Sequence, residues 1–179
     1  MASAAVFRRC LQLIVLAAAA ACSLADRNFI NRTCETAFSQ DLCVSMLMSD
    51  RRSINASTVG ELAYIALDID ATADISSTVG VLQRIADKNP GTDLAAALKQ
   101  CVMVYNSAGG DLADARDAVG SKKYSDADGL INSASASPDG CQNMFVDVEM
   151  PEPVAKKGEW LGQRIDVCSD LVTGMIYPK

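Results

Sequence analysis

The chain has 179 residues, a formal net charge of −6 and no histidine. Its acidic balance argues against nucleic acids and anionic membranes as partners, and the missing histidine removes the commonest general base and metal ligand. No GxSxG, HExxH or CxxC motif and no glycine-rich phosphate loop occurs in the sequence. We therefore expect no enzymatic activity, no metal site and no cofactor.

The first 25 residues have the pattern of a signal peptide. Arg8 and Arg9 precede an apolar run over residues 11–21, and residues 23–25 (SLA) form a small-x-small cleavage site. The run is shorter than the roughly 20 apolar residues of a transmembrane helix, although an uncleaved anchor is the alternative. Cleavage would leave residues 26–179 with a net charge of −8, which is one domain of ordinary size. We therefore expect a secreted protein.

Residues 26–53 predict a hairpin of two short helices. The first would end near Cys34, and the second would cover residues 41–48 and contain Cys43. Helices of this length are not stable alone, so a covalent link is expected to hold them together. An exported chain oxidises paired thiols to disulfides rather than using them as metal ligands.

The first long helix begins at a T-x-x-E capping box formed by Thr58 and Glu61. Its apolar residues mostly keep to one face, which is the pattern of an amphipathic α-helix. This stripe comprises Val59, Leu62, Ala66, Ile69, Ala73, Val79, Leu82 and Ile85.

The second long helix follows the breaker at residues 89–91 (NPG), with Thr92 or Asp93 as its N-cap. Its apolar residues alternate spacings of four and three over about seven turns, which is typical of bundle packing. Gly109 and Gly110 lie in its middle and indicate either a kink or a close helix contact. The stripe comprises Leu94, Leu98, Cys101, Tyr105, Ala108, Leu112, Ala115 and Val119.

Two further helices complete the pattern. The third begins near Tyr124 and is expected to fray or bend before Pro138 and Gly140, and the fourth follows residues 151–153 (PEP). Their stripes are Tyr124, Ala127, Ile131 and Ala134, and Leu161, Ile165, Cys168, Val172 and Met175. No run alternates as a strand would. We predict an all-α protein, an antiparallel up-and-down four-helix bundle over about residues 57–177, with an N-terminal helical hairpin.

Two asparagines and three cysteines indicate covalent chemistry. Asn31 and Asn55 lie in N-x-S/T sequons and are candidates for N-glycosylation. Cys168 lies on the last apolar stripe, where we expect a buried free thiol; an intermolecular bridge is the alternative. Cys101 and Cys141 join the hairpin cysteines in a set of four, for which counting alone allows three pairings.

Several tracts of the chain resemble one protein family. They are the short-spaced cysteine pair, ALKQCVMVY over residues 97–105, DLADA over 111–115, KKYSDA over 122–127 and DGCQNMF over 139–145. On these residues the chain resembles the plant invertase inhibitor/pectin methylesterase inhibitor family, and within it the pollen-type invertase-inhibitor group. The resemblance implies a four-helix bundle with an N-terminal hairpin, and it implies disulfides Cys34–Cys43 and Cys101–Cys141.

The resemblance also implies a function. Members inhibit cell-wall carbohydrate enzymes and divide between two targets, pectin methylesterase and acid invertase. Invertase inhibitors in the family are associated with a Pro-Lys-Phe element, which is absent from this chain. We expect a monomeric protein of the apoplast that occludes one of these enzymes in a 1:1 non-covalent complex, with its contact residues unassigned. A non-inhibitory structural or interaction protein of the cell wall is the alternative.

Overall fold

The computed structural model describes residues 27–178, and the regular secondary structure within that range is helical. The expected signal peptide, residues 1–25, lies outside the described range. In chain order the helices are α1 (27–34), α2 (Gln40–Met48), α3 (Val59–Ile69), α4 (Ile75–Asp87), α5 (Asp93–Gly120), α6 (Tyr124–Ser135), α7 (Ser137–Gln142) and α8 (Glu152–Ile176). A 3-10 turn at Arg51–Asn55 precedes α3, and a π-helical segment at Asp70–Asp74 joins α3 to α4.

Local sequence signals determine where the long helices begin. The Glu61 N–H donates to Thr58 Oγ1 at 3.2 Å, and the Thr58 N–H donates back to the Glu61 carboxylate at 3.1 Å. This is the predicted capping box, and it opens α3. Thr92 is the N-cap of α5, since its Oγ1 accepts a hydrogen bond from the Ala95 N–H at 3.2 Å. Each cap satisfies a backbone donor that the first helical turn would otherwise leave unpaired.

Four helical arms form an antiparallel ring. The arm made of α3 and α4 packs against α5, α5 packs against α6, and α8 closes the ring by packing against α6 and α3. Helix α2 lies outside the ring on α3 and α8, and the Phe38 N–H donates to Asp170 of α8 at 2.8 Å. The predicted all-α four-helix bundle with an N-terminal hairpin is therefore confirmed, together with the two disulfides that it includes.

Most residues of the apolar stripes are buried in the core, and several near the helix ends, such as Val59, Leu94 and Met175, are half-buried. Buried stripe residues include Leu62, Leu98, Tyr105, Leu112, Ile131, Ile165 and Val172. Ile69 is only half-buried and Ala73 is exposed, contrary to the predicted stripe. Ala73 lies inside the π-helical segment, whose wider turn places it off the buried face. Asp70 and Asp74 are buried there instead.

Gly109 and Gly110 differ in surroundings, although α5 continues through both. A Cβ added to Gly109 would lie 3.2 Å from Cγ2 of Ile75 on α4, whereas a Cβ on Gly110 would meet nothing within 4 Å. Gly109 therefore marks a close contact between α5 and α4, and Gly110 lies on the open surface. Of the two interpretations that the sequence left open, the close contact holds for Gly109 alone.

The third arm is divided into two helices. Helix α6 ends at Ser135, and α7 begins at Ser137 with Pro138 in its first turn. The break falls where we predicted fraying, because proline lacks the N–H that an uninterrupted helix would use. Cys141 in α7 is bonded to Cys101 in α5, so the short helix is held against the ring.

Candidate partner-binding surface

Two disulfides hold the scaffold on which a binding surface would lie. Cys34–Cys43 joins the end of α1 to α2 with a Cα–Cα distance of 5.7 Å, and Cys101–Cys141 joins α5 to α7 at 4.6 Å. A native bridge in a small secreted domain contributes roughly 2–5 kcal/mol to stability. Because both the hairpin and one end of the ring are tied covalently, little ordering entropy would be lost when a partner binds.

Cys168 on α8 is a buried thiol outside both disulfides. Its Sγ lies 3.2 Å from Asp70 Oδ2. Burial, reinforced by the neighbouring Asp70 carboxyl, raises the pKa of the Cys168 thiol well above its ordinary value. A protonated thiol without access to solvent is poorly reactive, so an intermolecular bridge through Cys168 would require local unfolding.

Asp70 belongs to an ionic cluster inside the bundle. Arg164 Nε lies 3.3 Å from Asp70 Oδ1 and also contacts Asp74. The Arg164 guanidinium stacks over Trp160, 5.1 Å from the ring centroid. Burial, and after it the hydrogen bond with Asp74, raises the pKa of Asp70 well above its ordinary value. This cluster was not predicted, although Asp70 and Asp74 are spaced four apart, as are Arg164 and Cys168 on the helix that packs against them.

A second ionic network lies at the surface. Arg52 in the 3-10 turn contacts Asp50 and Asp68 at 2.7 Å each, and Arg116 of α5 contacts Asp68 at 2.9 Å. Partial burial raises the pKa of Asp68, but hydrogen bonds from Arg52 and Arg116 outweigh it and leave that pKa below its ordinary value. Asp68 therefore links the 3-10 turn to α3 and α5, although exposed pairs of this kind are each worth at most about 1 kcal/mol.

Both sequon asparagines are exposed. Asn31 lies on α1, and Asn55 lies at the end of the 3-10 turn. Asn55 also lines a cavity of about 490 Å³ between the start of α3 and the turn that joins α5 to α6. A glycan on Asn55 would leave the protein beside this cavity. Glycosylation at either position stays a prediction.

The side of the bundle formed by α5 and α6 lies opposite the hairpin, which packs on α3 and α8. Met103 of α5 has 65% of its surface exposed there. Asp114 of α5 and Asp126 of α6 are exposed as well, and α6 contains two aspartates but no lysine or arginine. We call Met103, Asp114 and Asp126 the α5–α6 face. Met103 and Asp114 lie about three turns apart on the same side of α5, and an exposed apolar side chain with carboxylates further along a rigid helix pair suits a protein-binding surface.

Within residues 27–178, no three histidine, cysteine or acidic side chains are grouped as metal ligands. No helix in the same range combines the length and the apolar character that crossing a membrane requires.

A family model described as plant invertase/pectin methylesterase inhibitor matches residues 28–171. A mutant form of a pectin methylesterase inhibitor from Arabidopsis has a similar structure, with a TM-score of 0.64 and 19% identity over 78% of this chain and 92% of that chain. A pectin methylesterase inhibitor from Arabidopsis thaliana has a TM-score of 0.58 and 18% identity over 82% of this chain and 95% of that chain. A comparison with curated proteins finds no match. At these identities the two structures support the fold alone.

Proposed function

The chain belongs to the plant invertase/pectin methylesterase inhibitor family, and we propose that it is a secreted inhibitor of pectin methylesterase or of acid invertase. It acts in the apoplast by covering the substrate cleft of one enzyme molecule without covalent chemistry. The family match over residues 28–171 is the observation that carries the proposal. The missing Pro-Lys-Phe element makes pectin methylesterase the first enzyme to assay.

Secretion is part of the proposal. The signal-peptide pattern of residues 1–25 would export the chain. Two disulfides suit an oxidising compartment, where they form and persist. Cleavage would leave the net charge of the mature chain at −8, which suits an enzyme with a basic surface around its cleft.

The α5–α6 face is our candidate for the contact with the enzyme. It lies away from the hairpin, and it carries an exposed methionine that could enter an apolar pocket. Its aspartates would steer association with a basic partner, so the association rate should fall as salt rises, while the dissociation rate changes less.

The direct test titrates the mature protein into a plant pectin methylesterase and, separately, into an acid invertase. Reversible loss of activity with an end point at one inhibitor per enzyme is expected for one of them. Size-exclusion chromatography with light scattering would establish the stoichiometry. Inhibition of neither enzyme would reject the proposal in favour of a structural or interaction protein of the cell wall, and irreversible, time-dependent loss would reject occlusion.

Charge variants test the location of the contact. Asp114→Lys and Asp126→Lys should each slow association, and Met103→Ala should speed dissociation, in surface plasmon resonance across a salt series. Asp41→Lys on α2 is the matched control, because it makes the same charge change on the hairpin side. If Asp41→Lys had the larger effect, the contact would lie on the hairpin and not on the α5–α6 face.

A further inference from the structure

A cavity of about 490 Å³ lies at the end of the bundle where α3 begins and where α5 turns into α6. Small-ligand sites have volumes of about 300–1,000 Å³. Its lining residues include Asn55, Glu61, Tyr64, Lys122 and Tyr124. Tyrosine rings beside amide, carboxylate and ammonium groups give both an apolar surface and hydrogen-bonding partners, which a sugar ring with its hydroxyl groups requires.

Lys122 has an unusual backbone conformation for its residue type, with φ at 60°. Its N–H donates to the Val119 carbonyl at 2.9 Å, and the Lys123 N–H donates to the Ala118 carbonyl at 2.9 Å. These two bonds are the Schellman ending of α5, and Lys122 occupies the position where glycine is usual because a Cβ is unfavourable there. Lysine is less stable than glycine in this conformation, which makes its side chain a candidate functional group.

The Lys122 ammonium is also without an ionic partner. No carboxylate among residues 27–178 lies within ion-pair distance of it. Arg52, the other cation on the cavity wall, is already held by Asp50 and Asp68 at 2.7 Å each. The cavity therefore offers one unpaired positive charge in a protein whose net charge is negative.

Glu61 supplies an acceptor at the same place. Its Oε2 accepts hydrogen bonds from the Ser57 N–H, the Ser57 hydroxyl and the Thr58 N–H at 2.6, 3.0 and 3.1 Å. These three donors fix the carboxylate, and its Oε1 receives no hydrogen bond from the described residues. That oxygen is free to accept a bond from a hydroxyl group of a ligand.

We propose that this cavity binds a uronic acid residue of an acidic polysaccharide. The sugar carboxylate pairs with the Lys122 ammonium, its hydroxyls bond Glu61 Oε1 and the Asn55 amide, and its ring packs on Tyr64 and Tyr124. The choice of a sugar acid among organic anions rests on the proposed function, since hydrolysis of a methyl uronate ester leaves a free carboxylate. The inhibitor would then be retained on polymer from which methyl groups have been removed.

Binding is measured with the mature protein from a non-glycosylating host, so that Asn55 carries no glycan. The probes are trigalacturonic acid, its trimethyl ester and the neutral trisaccharide maltotriose. In ¹⁵N-HSQC titrations the acid should shift amides near residues 55–64 and 119–124 saturably, and the ester and maltotriose should bind at least about tenfold more weakly. Absence of saturable shifts at the cavity, or equal binding of the ester, would overturn the proposal.

Substitution of Lys122 separates binding from folding. Lys122→Gly should raise the melting temperature, because glycine suits the left-handed conformation, and yet weaken acid binding at least about tenfold. Lys122→Asn, which also tolerates this conformation, should weaken it equally. Lys123→Gln is the control, because Lys123 does not line the cavity. Unchanged affinity in both Lys122 variants would overturn the proposal.

Enzyme inhibition is measured on the same proteins. Lys122→Gly lies outside the α5–α6 face and should inhibit as the wild type does. Failure of the wild type to inhibit either enzyme would reject the proposed function while the sugar titration still decides binding. Inhibition without sugar binding would reject the cavity assignment and leave the proposed function in place.

Discussion

Arg164 Nε lies 3.3 Å from Asp70 Oδ1, although the two residues are 94 positions apart in the chain. The pair joins α8 to the π-helical segment, and Asp74 contacts the same guanidinium. One cation therefore serves two buried carboxyl groups, and ionising both would leave an excess negative charge inside the protein. The raised pKa of Asp70 follows from that burial and from the proximity of Asp74.

The first prediction concerns pH and the Asp70→Asn variant. Because the pKa of Asp70 is raised above its ordinary value of 3.8 in the folded protein, the native state binds more protons than the unfolded state from about pH 4 upward, until the raised pKa is passed. The contribution of protonated Asp70 to the free energy of unfolding is thus present at low pH and is lost as pH rises through the raised pKa. Asn cannot ionise, so the free energy of unfolding of Asp70→Asn relative to wild type should rise between pH 4 and 8.

Urea unfolding at several pH values measures this difference. The comparison with wild type cancels the opposite contribution of carboxyl groups whose pKa values are lowered, such as Asp50 and Asp68. A relative stability that stays flat or falls with pH would mean that Asp70 is ionised throughout.

The second prediction contrasts a buried arginine with an exposed one. Arg164→Met removes the cation from Asp70 and Asp74, and leaving this buried acidic pair without it should cost about 3–5 kcal/mol of stability. Arg52→Met removes a similar pair of contacts at the surface and should cost about 1 kcal/mol or less. Denaturant unfolding of both variants checks the contrast, and equal losses would contradict it.

The third prediction concerns thiol chemistry. Cys168 should resist alkylation by iodoacetamide in the native protein and react fully in denaturant without reductant, because it is buried and the pKa of its thiol is raised. Non-reducing peptide mapping should recover Cys34–Cys43 and Cys101–Cys141 crosslinks. Rapid native labelling of Cys168, or its appearance in a crosslinked peptide, would be inconsistent with its position in the core.

The fourth prediction uses the two adjacent glycines of α5. Gly110→Ala should stabilise the protein by roughly 0.5–1 kcal/mol, because alanine has the higher helix propensity and its Cβ meets nothing. Gly109→Ala should gain less or lose stability, since its Cβ would lie 3.2 Å from Ile75. Thermal melts of the two variants decide the order, and a larger gain for Gly109→Ala would show that Ile75 moves aside freely.

The bundle could be predicted because helix capping and the spacing of apolar residues are set by residues close together in the sequence. The Thr58 capping box and the four-three spacing along α5 depend only on neighbouring residues, and both appear in the structure. The π-helical segment was not predicted, since Ile69 and Ala73 continue the same spacing as an ordinary helix. The segment depends on a tertiary contact, because Asp70 and Asp74 are buried where they meet Arg164. Arg164 is 94 and 90 positions away from them in the chain.

The cavity escaped prediction for a related reason. Helix α5 ends at Gly120, and the left-handed residue of its ending is Lys122, a residue type for which this conformation is uncommon. Nothing in the spacing of residues 120–123 indicates this conformation at Lys122. The neighbours that give Lys122 a function, Asn55 and Glu61, come from a distant part of the chain and meet it only through the packing of α3 on α5.

The Cys101–Cys141 bond encloses the turn at Ser121, Lys122 and Lys123, which is exposed and carries two adjacent lysines. A trypsin-like protease that cuts there would open the backbone without releasing a fragment, because the disulfide still joins the two halves. The nicked protein would run as one band on a gel without reductant and as two bands with it. In an environment that contains proteases, this bond therefore keeps α5 and α6 on one molecule after the chain between them has been cut.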